Sequence, residues 1–142
     1  MAKILIIEDH PDTRELLRLM LEMEGYEIAE ARAGEEGVRK AKDFAPDLIL
    51  MDISLAGEIS GWEATQRLRA DPQFDDTIIV ALTAHAMKDD RDTTFAYGCD
   101  DYWTKPILDF PEFQREIAEM IARGRHNLKQ PQQTDARNMR FE

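Results

Sequence analysis

Cysteine is almost absent from this chain: its 142 residues contain one, Cys99. One thiol excludes an internal disulfide framework and is too few for a cysteine-based zinc site, so a small buried thiol is the expected role. Long hydrophobic runs are missing as well. Hydrophobic residues make up 43% of the chain, but they come a few at a time, far short of the roughly 20 that a bilayer-spanning helix needs. No signal-peptide pattern opens the sequence, and the chain reads as soluble and cytoplasmic. Basic residues are scarce beside acidic ones, 18 Lys and Arg against 29 Asp and Glu, for a formal charge of −11. Affinity for phosphate backbones needs clustered lysine and arginine, so nucleic acid is not expected as a direct partner. The imbalance is uneven: residues 124–142 hold four basic and two acidic side chains, which leaves −13 on the rest.

What the chain does have is a repeated alternation. KILIIE, DLILMD and TIIVALT place apolar residues at consecutive positions, the mark of strands buried on both faces. GYEIAEA reads as a weaker strand, and a fifth strand is expected to end at Lys105. Between them lie segments with apolar residues at helical spacing, Leu16, Leu17, Met20 and Leu21 in the first and Val38, Ala41 and Phe44 in the second. WEATQRLRA, DRDTTFAYG and PEFQREIAEMIA supply three further helices, and Gly25 and Gly98 are placed to end helices. Strand and helix alternating five times imply an α/β fold, a five-stranded parallel sheet doubly wound with helices on both faces. The length suits one domain, residues 1–123. From Gly124 onward the pattern stops, and residues 124–142 are expected to form a polar, flexible tail unless a partner orders them.

In such a sheet ligands bind off the carboxyl ends of the strands, where the strand order reverses. That edge collects Glu8 and Asp9 from the first strand, Asp52 from the third, Thr83 from the fourth and Lys105 from the fifth. Three carboxylates packed together repel unless a cation neutralises them. Oxygen ligands with an open coordination sphere suit Mg2+, or Mn2+, better than zinc. Any one acid at a strand end is more often a turn or cap residue, and Asp9 or Asp12 would serve simply to cap the first helix. Acid pair, acid, hydroxyl and lysine in order at the ends of four strands make a stronger case than any one alone.

IIEDHPDTRELL, DLILMDISL, IIVALTAHAM and GCDDYWTKPI, taken together, resemble the receiver domains of two-component response regulators over about residues 2–123. The resemblance implies the flavodoxin-like strand order 2-1-3-4-5 and a phosphorylation-activated signalling switch. Asp52 matches the acid that accepts a phosphoryl group from a sensor histidine kinase or histidine phosphotransfer protein. A carboxylate at the end of a rigid buried strand is held still for in-line attack. By the same resemblance Asp9, Asp52 and the Ser54 backbone carbonyl bind Mg2+ directly, and Glu8 acts mainly through water. Lys105 pairs with the phosphoryl oxygens and is followed by a cis peptide to Pro106. Thr83 and Tyr102 match the switch pair, with the hydroxyl drawn to the phosphoryl group and the ring turned inward. Ser54 and His85 occupy the positions that modulate phosphoryl lifetime. Such a chain is no conventional enzyme, but it catalyses its own phosphorylation and dephosphorylation. The pattern departs from the family at Ala56, where proline is common, and ISLAGEISG is one residue longer than usual.

The chain is similar to stand-alone receivers, whose output passes to a downstream protein through the fourth helix, fifth strand and fifth helix. Trp103 and Phe110 fall near that face, where exposure would favour a partner and burial would mean packing. No membrane partner is implied, and homodimerisation is open. Isolated His10 reads as structural rather than as a ligand. Other readings fit less well. A haloacid-dehalogenase-type phosphatase needs a second acid two residues after its nucleophile, where Ser54 stands. A flavodoxin-like electron carrier needs a glycine- and hydroxyl-rich loop after the first strand, and acidic EDHPDTRE would repel its phosphate. A phosphorylation-independent interaction module of the same fold is the main alternative.

Overall fold

Neighbouring strand residues send their side chains to opposite faces of a sheet, and here each face meets its own set of helices. The computed structural model describes residues 2–84 and 88–128. Five strands, β1 (Lys3–Ile7), β2 (Glu27–Ala31), β3 (Leu48–Asp52), β4 (Ile78–Thr83) and β5 (Asp101–Thr104), alternate with five helices, α1 (Pro11–Glu22), α2 (Gly34–Phe44), α3 (Gly61–Arg69), α4 (Lys88–Ala96) and α5 (Phe110–Arg123). All pairings are parallel and the order is β2-β1-β3-β4-β5. This is the expected doubly wound fold, and the order reverses between β1 and β3.

Leu5, Ile7, Ile49, Met51, Ile79 and Ala81 pack on one face with Ala41, Ala64 and Leu68 from α2 and α3. Ile4, Ile6, Leu48, Leu50, Val80 and Leu82 pack on the other with Leu17, Met20, Leu21, Phe113, Ile117 and Met120 from α1 and α5. Consecutive apolar residues therefore fill two cores at once. β2, the weaker strand in the sequence, lies at the sheet edge and only Ala31 in it is fully buried. Leu16, read with the inward face of α1, is instead exposed, together with Leu19 and Met23.

Helix starts bring the chain back over the strand ends. His10, not Asp9 or Asp12, caps α1: its ring nitrogen accepts from the Thr13 amide at 3.4 Å, and Pro11 opens the helix without losing a hydrogen bond. His10 is thus structural, as expected. Ser60 caps α3 by accepting from Glu63 N–H at 3.1 Å, and Asp109 caps α5 by accepting from Glu112 N–H at 3.0 Å.

The opposite edge of the sheet is closed by a largely buried guanidinium. Arg69 donates to the carbonyls of Phe74, Thr77 and Gly98 and to Asp100 Oδ2 at 2.8 Å. Gly98 has φ +113°, and a Cβ there would stand 2.7 Å from Arg69 Cγ, so both backbone conformation and space call for glycine. Asp100 also accepts from Ile79 N–H and, at 2.9 Å, from Arg125 Nε. Residues 125–127 thereby fold back as a 3-10 turn, and Leu128 packs against the α1/α5 core. Residues 129–142, most of the tail read from the sequence, lie outside the described residues. Cys99 is buried beside Thr65, with Sγ and Oγ1 3.7 Å apart, and burial pushes its thiol up to about 12.

Two outcomes follow. Asp100→Ala leaves the largely buried Arg69 guanidinium without its counter-charge and is expected to cost about 3 kcal/mol in urea unfolding. The Cys99 thiol ionises in the unfolded chain near pH 9 but stays protonated in the folded one, so stability falls as pH rises through that interval. From pH 7 to pH 10 the native chain should lose about 1.4 kcal/mol more than Cys99→Ala, read from urea midpoints at the two pH values.

Candidate functional site

Four of the five strands, β1, β3, β4 and β5, bring the chain to one place at their carboxyl ends. Glu8, directly after β1, is fully buried, Asp52 closes β3 and is 2% exposed, and Thr83 closes β4 and is 1% exposed. Carboxylate oxygens of Glu8, Asp9 and Asp52 all lie within 4.8 Å of one another. Lys105, just past β5, sets Nζ 2.8 Å from Glu8 Oε1 and 3.4 Å from Asp52 Oδ2. The Lys105–Pro106 peptide is cis, as the resemblance implied.

One ammonium does not balance three carboxyl groups, and backbone amides supply much of the remaining compensation. Ser54 N–H donates to Asp52 Oδ1 at 2.9 Å, Ala56 N–H to Asp9 Oδ2 at 3.1 Å and His10 N–H to Glu8 Oε2 at 3.1 Å. Arg14 Nη1 donates to the Glu8 carbonyl at 2.9 Å, fixing the peptide that joins the acid pair. Burial, reinforced by the adjoining Asp52 carboxyl, pushes Glu8 up to about 7 although Lys105 pulls the other way. For Asp9 burial acts upward, but the Ala56 amide and its contacts with Glu8 and Asp52 outweigh it and hold the carboxyl below its ordinary value. For Lys105 burial acts downward and is outweighed by Glu8 and Asp52, which raise the ammonium. A cluster of oxygen donors carrying excess negative charge fits a hard divalent cation.

Thr83 and Tyr102 are neighbours: burial raises the Tyr102 phenol, the Thr83 side chain acts the other way, and the ring is only 4% exposed. Trp103 is buried and packs edge-on against Phe113, with ring centroids 5.5 Å apart, whereas Phe110 is 40% exposed. Trp103 is therefore core, and Phe110 is left on the surface. Ser54 sits beside Asp52 with an exposed side chain. His85 lies outside the described residues.

Some positioning residues do not stand out in the sequence. A Cβ on Gly61 would lie 2.2 Å from the Asp52 carbonyl oxygen and 2.5 Å from Ile53 Cα, so α3 begins directly against the backbone that carries Asp52. The pattern Ser60-x-x-Glu63 signals that helix start, but not what it rests on. Trp62 then ties α3 to α4, donating from Nε1 to Thr94 Oγ1 at 2.8 Å and stacking on Tyr97 with centroids 5.9 Å apart. The amide of Ser54 carries no sequence signal, because every residue but proline has one, whereas Ala56 supplies an N–H where the family commonly has proline.

Comparison with known proteins agrees with this arrangement. Residues 4–118 match the family described as response regulator receiver domain. The chain is 40% identical over 118 residues to the polar-differentiation response regulator DivK of Brucella ovis, covering 83% of this chain and 94% of that protein. It is 37% identical over 129 residues to the DNA-binding dual master transcriptional regulator RpaA of Synechocystis, covering 91% of this chain but only 50% of RpaA, so it spans about half that relative's length. A putative response regulator from Chloroflexus aurantiacus superposes with a TM-score of 0.79 at 30% identity, covering 86% of this chain and 98% of that one. The receiver domain of the Pseudomonas aeruginosa sensor histidine kinase PA1611, solved with a magnesium ion coordinated in its active-site cleft, gives 0.77 at 34% identity, covering 85% and 98%. Among the described residues no helix is long and apolar enough to cross a membrane. With its acid cluster at the strand-order reversal of a five-stranded parallel sheet, the chain belongs to the response regulator receiver domains of two-component signalling.

Proposed function

We propose that Asp52 accepts a phosphoryl group from a phosphohistidine on a sensor histidine kinase or histidine phosphotransfer protein, and that the modified chain presents an altered surface to a downstream protein. The observation that carries this reading is the setting of Asp52: buried, held by the Ser54 amide, and 3.4 Å from the Lys105 ammonium. An Asp52 carboxylate oxygen attacks phosphorus in line as the P–N bond to imidazole breaks. The pair of electrons leaves with the imidazole, and the product is an acyl phosphate whose hydrolysis restores the carboxylate. Such a reaction asks the protein mainly for position and for positive charge near the phosphoryl oxygens. Lys105 provides one such charge. Asp9, Asp52 and the Ser54 carbonyl are the groups that would hold Mg2+ directly, with Glu8 acting through water. Bound there, the ion supplies the charge neutralisation that one lysine cannot.

The buried Tyr102 refines the switch. Its ring already lies inside, beside Thr83, so the expected change is a movement of the Thr83 hydroxyl toward a phosphoryl oxygen rather than an inward turn of the ring. Tyr102 belongs to β5 and Trp62 reaches α4, so the consequences fall on α4, β5 and α5, the surface proposed for the downstream protein.

Intact mass after incubation with acetyl phosphate and Mg2+ should rise by one phosphoryl group in the native chain and not at all in Asp52→Asn. Lys105→Met should slow the gain at least tenfold. Absence of any gain with acetyl phosphate and with phosphohistidine donors, in a folded protein, would leave the phosphorylation-independent module as the better reading. Mg2+ at ten times its Kd should stabilise the fold by about 1.4 kcal/mol, a rise of roughly 3–6 °C in Tm. An unchanged melting curve at millimolar Mg2+ would remove the metal from the mechanism.

A further inference from the structure

The loop from Asp52 to α3 does two jobs, carrying Asp52's neighbours and lending amides to two acids. Its near end is held by those acids, through Ser54 N–H on Asp52 and Ala56 N–H on Asp9. Its middle, Ala56 to Glu58, is exposed. Its far end is held by α2. Ile59 is 5% exposed and packs over Gly34, where a Cβ would meet Ile59 Cγ1 at 2.7 Å. A buried amide needs a partner, and Ile59 N–H donates to Glu35 Oε1 at 3.2 Å.

Glu35 stands in the first turn of α2, where a carboxylate is favourable for the helix dipole alone. Its neighbour Glu36 behaves in that local way, accepting from the Arg32 amide at 2.7 Å. Glu35 instead reaches across to another segment, 24 residues further along the chain. The contact sits two residues before Gly61, which rests on the Asp52 carbonyl. Releasing Ile59 would free the loop between its contact with the acids and the start of α3, and with it the Ala56 amide on Asp9 and the position of the Ser54 carbonyl.

We infer that Glu35 is a positioning residue for the phosphoacceptor site: through the Ile59 amide it seats the β3–α3 loop so that the acid cluster binds its divalent cation and Asp52 is ready to react. This inference rests on the phosphoacceptor reading above. Glu35 touches neither cation nor phosphoryl group. Its contribution is the acceptor oxygen, which glutamine retains and alanine lacks, rather than its charge.

The test compares the full chain with Glu35→Gln and Glu35→Ala. Exchange of the Ile59 amide, followed by NMR without metal, reads the contact itself, and titration with magnesium chloride reads the site. Loss of one such hydrogen bond corresponds to roughly a three- to tenfold change in affinity. Glu35→Ala is therefore expected to lose Ile59 protection, to bind Mg2+ about three- to tenfold more weakly and to take up phosphate from acetyl phosphate more slowly. Glu35→Gln should keep protection and affinity within about twofold. A merely structural role would lower the melting temperature of Glu35→Ala without changing its Mg2+ affinity, and that result would overturn the inference. Equal weakening in both variants would also overturn it, by assigning the effect to charge. A native chain that binds no Mg2+ and takes up no phosphoryl group would overturn the phosphoacceptor reading itself, a failure distinguishable because it appears before any substitution is made.

Discussion

Repulsion among three carboxyl groups is the constraint around which this molecule is built. Glu8, Asp9 and Asp52 bring oxygens within 4.8 Å of one another at a largely buried edge, with Lys105 as the ammonium set among them. Burying like charges is unfavourable unless each finds a counter-charge or a hydrogen bond. The response is distributed: amides of His10, Ser54 and Ala56 turn toward the acids, and Lys105 bridges two of them. Burial first, and the Asp52 carboxyl next to it, still raise Glu8 to about 7, so one ammonium and three amides leave the cluster short of full compensation. An incompletely neutralised cluster of hard oxygen donors is also what a divalent cation seeks, so the same imbalance that costs stability creates the site.

Holding acids in that position requires a scaffold that does not yield. Inner strands with apolar residues on both faces, pressed between α1 and α5 on one side and α2 and α3 on the other, provide it. Rigidity in the sheet passes to the loops through close contacts: Gly61 on the Asp52 backbone, Ile59 over Gly34, and Trp62 against Thr94 and Tyr97. Thr83 and Tyr102 belong to this frame too, as the last residue of β4 and a buried residue of β5.

Much of this was legible in the chain itself. Parallel sheet, helix number and the convergence of Glu8, Asp9, Asp52, Thr83 and Lys105 follow from apolar runs that end in polar residues, because a parallel sheet sends all its strand ends to one edge. Side-chain placement was less accessible. The pattern placed Leu16 with the inward face of α1, yet it is exposed, since three and four spacing permits a wider stripe than α1 buries. His10 took the cap that Asp9 or Asp12 would equally have suited, because backbone geometry selects the capping position before chemistry does. For Trp103 the sequence allowed surface or core, and contact with Phe113 decided for the core.

By itself, then, the sequence determined the class of fold, the edge at which the chemistry gathers and the residue types that carry it. These depend on periodicity and on order along the chain, which are one-dimensional properties. The tertiary structure decided what holds those residues in register: the Ala56 amide on Asp9, Glu35 on the Ile59 amide, Gly61 beneath Asp52, and Arg69 joined through Asp100 to Arg125. Each joins segments distant in sequence, and most use a backbone group that every residue but proline possesses in the same form. Only closure of the fold chooses among such partners, because their pairing is set by distance in space and leaves no mark along the chain.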